Sequence, residues 1–175
     1  MTGLAAWQNF YVIVGSSAGA LIGLQFVVLA LIAQMPGIRR EAGVGATWAT
    51  PTTVHFVSAL VLAGVMTVPW HGIAPVALTL GVAGAAGAVY AAVTWRRMGR
   101  QSGYRPEVED WMFHAVLPLV AYAALIVAAG FLHMGQLGGL HGVAAATLML
   151  LLIGIHNAWD TVTYHVFVKS KEHGD

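Results

Sequence analysis

The 175-residue chain is predicted to be an all-α polytopic membrane bundle of five transmembrane helices, with its N-terminus outside and its C-terminus cytoplasmic. Three observations carry this reading. Hydrophobic residues make up 58% of the chain and charged ones only 9%, against roughly 25% charged in soluble domains. Five uncharged stretches are about as long as the ~20 residues a helix needs to cross the hydrocarbon core. All eight Lys and Arg fall in segments that alternate spanning puts on one side, where short cytoplasmic loops hold them. Residues 1–175 form a single transmembrane domain in this reading, and the expected location is the cell membrane, a bacterial inner membrane.

Composition also removes several classes of function. Eight basic against seven acidic residues, with no long charge block, exclude a nucleic-acid surface. The absence of cysteine excludes disulfides, thiolate metal sites and a thiol nucleophile.

The first helix is expected at 10–35, closed by Pro36-Gly37. The first ten residues lack Lys and Arg, and Arg39-Arg40 follows the span, which suits a retained signal anchor. Gly15, Gly19 and Gly23 recur at every fourth position beside Ser16 and Ala20, so another helix can approach closely. That face serves either as a seam to a second copy or membrane-protein partner, or as packing within one bundle. Gln25, near the middle, is placed to hydrogen-bond to a neighbouring helix or to line a hydrophilic path. The stretch NFYVIVGSSAGALIGLQFVVLALI, residues 9–32, resembles a pattern in small, uncharacterised bacterial integral membrane proteins. The resemblance implies a membrane helix and brings no activity with it.

The second helix is expected at 51–68, with Thr50 as its cap and Pro51 at its first position. The third, 73–95, repeats the small-residue theme through Ala77, Gly81, Gly84, Ala85 and Ala88. The fourth spans 111–132. Pro106 opens it, with Glu107, Glu109 and Asp110 in a first turn where the macrodipole favours anions, and Pro118 should kink it just past His114. The fifth, 140–166, follows the Gly135–Gly139 break. Arg39 and Arg40, then Arg96, Arg97, Arg100 and Arg105, then Lys169 and Lys171 mark the inner side, leaving 69–72 and 133–139 as outer turns. The six Trp, at 7, 48, 70, 95, 111 and 159, each sit near a predicted helix end, as interfacial anchors do.

Ionisable groups inside a span are costly to keep there and mark candidate sites. His55, one turn into the second helix, His114 in the fourth, and His156, Asn157 and Asp160 in the fifth are expected at one depth near the cytoplasmic side. Asp110 with His114, and His156 with Asp160, are four residues apart and share a face. In each pair the carboxylate is placed to fix an imidazole tautomer. The expected site is therefore a metal- or proton-binding cluster of His55, His114, His156 and Asp160, with Asp110 and Asn157 supporting it. Zinc is the first candidate among divalent ions. The plainer alternative leaves Asp110 and Asp160 in the wet interface and each His on a local carbonyl, with no cofactor. On the outer side His71, His133 and His141, with Met134, form a second candidate set suited to copper.

A small transport or accessory module is the leading functional expectation. A redox subunit holding one haem b between facing histidines is an alternative. Of the within-helix pairs, only His141 and His156 share a face, which argues against two haems on shared helices. An intramembrane metal hydrolase would need a zinc-bound water and an open fourth coordination position, and the absence of a closely spaced two-histidine motif argues against it. A structural or regulatory partner without chemistry fits the glycine face. No Gly-rich nucleotide loop is present, so a gradient or a partner would supply any energy.

Overall fold

The computed structural model describes residues 3–34, 42–100 and 107–163. Outside them lie Pro36-Gly37, Arg39, Arg40, Arg105, Pro106, Lys169, Lys171, the end of the fifth expected span, and the Trp48 side chain. A 3-10 turn, Gly3–Trp7, leads into α1, Gln8–Gln34; α2 is Ala42–Thr67, α3 Ile73–Met98, α4 Val108–His133 and α5 Gly139–Thr163. No strand occurs among the described residues. Each of the five helices contains a stretch long and apolar enough to cross a membrane.

One expected boundary is corrected. α2 begins at Ala42, and Pro51 lies inside it rather than at its first position. An interior proline removes one backbone bond, here to the carbonyl of Thr47, and commonly bends the helix. The stretch before it is uncharged and rich in Gly and Ala, so nothing in residues 42–49 stops the helix from continuing.

The turns follow their sequences closely. After α4, Gly135 adopts φ +77°. Gln136 N–H donates to the Phe131 carbonyl at 2.9 Å and Gly135 N–H to that of Leu132 at 3.0 Å. This is a Schellman cap, which needs the left-handed residue that glycine supplies. Between α2 and α3, the Trp70 indole N–H donates to the Val65 carbonyl at 2.6 Å. Pro75 falls in the first turn of α3, where its missing N–H has no helical partner to lose.

α2, α5, α4 and α3 pack in that order around a ring; α2 meets α3 only lightly, and α1 lies against the outside of α2. Small residues that admit close backbone approach let these helices pack tightly. Gly84 is applied to α4, where a Cβ would lie 2.8 Å from Ile126 Cγ1 and 3.3 Å from the Tyr122 carbonyl oxygen. Gly87 faces the Tyr122 ring so closely that a Cβ would overlap it. On α5, Gly139 and Gly142 lie against Ala128 of α4, and Gly154 lies under the Phe56 ring of α2.

The α1 glycines divide. A Cβ on Gly15 would meet Ala63 at 3.1 Å, while Gly19 and Gly23 have nothing within 4 Å. Gly15 thus packs within the bundle, and the other two lie open. Outward-facing positions along the helices carry Val12, Ile13, Phe26, Leu78, Val82, Val89 and Leu152, all exposed. The exposed positions along the helices are largely apolar, and the buried His55, Gln25 and Asn157 are among the few polar side chains in an otherwise apolar interior.

Candidate functional site

The site begins at the N-terminal end of α4. Glu107 N–H donates to Asp110 Oδ2 at 2.8 Å, so the Asp110 carboxylate caps the helix. Two residues after Asp110 the helix widens into a π turn, Met112–Val116, closed by the Leu117 N–H bonding to the Met112 carbonyl. Pro118 explains the widening, because its ring would press on the His114 carbonyl in a regular helix. Where the sequence predicts a kink, the structure has a π turn, a feature frequent at functional sites.

The π turn anchors α5. The Phe113 carbonyl accepts a long bond from Asn157 Nδ2 at 3.4 Å. The His156 ring stacks on Phe113 with centroids 3.4 Å apart and planes 17° from parallel. His156 Nε2 stands 3.3 Å from Glu109 Oε1. The carboxylate that meets His156 is therefore Glu109 of α4 rather than Asp160 of its own helix, as expected from spacing. Asp160 is exposed at the same end.

His114, buried, hydrogen-bonds to the backbone of Asp110 and lies within electrostatic reach of the Asp110 and Asp160 carboxylates and of His156. It is also within reach of His55. The structure thus brings the expected residues of α2, α4 and α5 into one neighbourhood, with α5 packed against both other helices.

His55 is five residues into the apolar stretch Thr50–Thr67 and meets α4 at Tyr122. With α2 starting at Ala42, His55 lies near the middle of its helix. Its Nδ1 is 3.4 Å from the Tyr122 hydroxyl, which is 2.9 Å from Ser58 Oγ. Tyr122 follows His114 by eight residues along α4, roughly 12 Å at 1.5 Å per residue. The groups accordingly form a file rather than a ring. Glu109, His156 and Asp160 stand at the open end, His114 is next, and His55, Tyr122 and Ser58 lie at mid-bundle.

Tyr122 and Glu109 were not among the expected site residues. Ser58, three residues from His55 on the same face, is the sequence feature that could have marked Tyr122; nothing comparable marks Glu109. Asn157 Oδ1 and His55 Nε2 are buried without a hydrogen-bond partner among the described residues. So are the Tyr11 hydroxyl and Gln25 Nε2, both on α1.

Among the described residues, no three His, Asp or Glu side chains stand close enough together to hold one metal ion. At the opposite end of the bundle, His71 and His133 are exposed, and the His141 and Trp7 rings meet edge to face with centroids 4.9 Å apart.

Comparison with protein-family models, with curated proteins and with solved structures finds no match, so the site is read from its own geometry.

Proposed function

We propose that this chain is an integral membrane protein whose five helices cross the bilayer with the N-terminus outside and the C-terminus cytoplasmic. In this reading the file from Glu109 to Tyr122 carries protons within a small transport or accessory module. The apolar outer surface, with large hydrophobic side chains exposed along every helix, supports insertion. The Arg and Lys distribution supports the orientation.

One observation carries the functional reading. A buried imidazole and two hydroxyls are joined by hydrogen bonds at mid-span, and a second buried histidine connects them electrostatically to an acidic, solvent-exposed mouth. Imidazoles exchange protons in the physiological range, and hydroxyls pass them on by reversing donor and acceptor roles. Intramembrane His and carboxylate groups in series are the recurring parts of proton relays. His55 and His114 are close enough that a charge on one opposes a charge on the other. Groups strung along the bundle suit this better than they suit a single metal ion, which needs its ligands converging on one point.

The test is proton flux in vesicles. Purified protein is reconstituted with a pH dye trapped inside, and a potassium diffusion potential is imposed. Protein-dependent acidification that falls at least tenfold in His114→Asn, with the variant still assembled, is expected. Flux equal to that of protein-free vesicles, or unchanged in the variant, overturns the reading.

A further inference from the structure

The light packing between α2 and α3 leaves a cleft. α3 turns its Gly84 and Gly87 face to α4, and α2 packs on α1 and α5, so neither helix closes the gap between them. The resulting cavity, about 140 Å³, has Val57 and Val61 on its rim, Ala83 on the α3 side and Leu125 at its back. Val57 and Val61 are exposed on the outer surface of the bundle, so the cleft opens sideways. Its polar groups are Ser58 and Tyr122, which also belong to the mid-span network.

The hydrogen-bond inventory gives the cleft a polarity. His55 Nε2 is buried without a partner. A bare ring nitrogen left in that position costs less than an N–H with no acceptor, because orphaned buried N–H groups are the rarer kind. The favoured tautomer therefore carries its proton on Nδ1, which donates to the Tyr122 oxygen. Tyr122 in turn donates to Ser58 Oγ. The Ser58 hydroxyl proton is then left over at the cavity wall, and it needs an acceptor.

The volume matches one six-membered ring, since an apolar cavity of about 150 Å³ holds benzene. The depth selects the source of the acceptor. Tyr122 lies near the middle of α4, so the ester carbonyls of phospholipids, held at the interface, do not reach it.

We infer that the α2–α3 cleft binds the ring of a lipid-soluble carbonyl compound of the quinone type. Its carbonyl oxygen accepts the Ser58 hydroxyl proton, and its tail leaves between Val57 and Val61 into the bilayer. The inference rests on the membrane-spanning reading and is independent of proton transport.

The experiment uses the full chain in lipid nanodiscs with a 1,4-benzoquinone bearing one isoprene unit as the probe, measured by equilibrium binding against empty discs. Saturable binding of one probe per chain is expected. Ala83→Leu, which fills the cleft, should abolish it, and Ser58→Ala should weaken it about five- to tenfold, the loss of one hydrogen bond. Val61→Phe, at the exposed rim, provides a second blocking variant that leaves the core intact. Uptake that is linear and equal to empty discs, or binding insensitive to both blocking variants, overturns the proposal. Equal binding of tert-butylbenzene, which lacks an acceptor, overturns the carbonyl assignment. Retention of the protein in the pellet after alkaline extraction, measured on the same membranes, separates failure of the cleft from failure of the membrane reading.

Discussion

Replacing Gly87 by Ala tests the packing that sets the position of Tyr122. A Cβ at residue 87 would overlap the ring, coming within 2.6 Å of Cζ and nearer still to Cε1 and Cδ1. The ring is buried and tethered through its hydroxyl to Ser58 and His55, so it has little freedom to retreat. Overpacking of this kind costs about 1–3 kcal/mol, and displacing the hydroxyl loses a further ~1 kcal/mol of hydrogen bonding. The helical preference of Ala over Gly returns ~1 kcal/mol, leaving a net loss of about 1–3 kcal/mol. Gly64 on α2 has nothing within 4 Å, so Gly64→Ala receives only the helical gain. The two variants should therefore differ by about 2–4 kcal/mol in unfolding titrations with SDS followed by circular dichroism. In a Tyr122→Leu background the ring atoms are gone, and the difference should shrink to a small fraction of that. Gly87→Ala and Gly64→Ala of equal stability in the native background would refute the packing.

Three further outcomes are expected. The chain has no cysteine, so single-cysteine variants report topology directly. Gln136→Cys should react with a membrane-impermeant maleimide on intact cells, and Arg100→Cys only after permeabilisation; the reverse pattern would invert the orientation. Glu109 is 69% exposed and His156 31%, so Glu109→Gln should change stability by less than ~1 kcal/mol. His156→Ala, which also loses the stack on Phe113, should cost about 1 kcal/mol more in the same titration. Elemental analysis of untagged protein should show metal well below one ion per chain. Near-stoichiometric zinc that disappears in His156→Ala would move the account to a metal site, and near-stoichiometric iron with a Soret band would move it to haem.

The five helices were legible because length and apolarity suffice to mark a span, and because Gly135 and Pro69 interrupt the chain where turns occur. The start of α2 was not, since proline at a first helical position is a preference, and residues 42–49 contain nothing that ends a helix. Spacing by four placed Asp160 beside His156, but same-face spacing says nothing about what a facing helix presents, and Glu109 of α4 is the group within reach. Pro118 marked the disturbance in α4 without telling a kink from a π turn. The three α1 glycines look equivalent in sequence, yet only Gly15 packs against Ala63.

The central claim is that His55 and His114 belong to one proton file. Nitrogen-15 NMR of histidine-labelled protein in nanodiscs, titrated with pH, tests it most directly. The account expects the ring-nitrogen signals of His55 to shift with a midpoint that moves when His114 is replaced by Asn, and its Nδ1 signal to change in Tyr122→Phe. A His55 signal that is indifferent to both substitutions across the titration would contradict it.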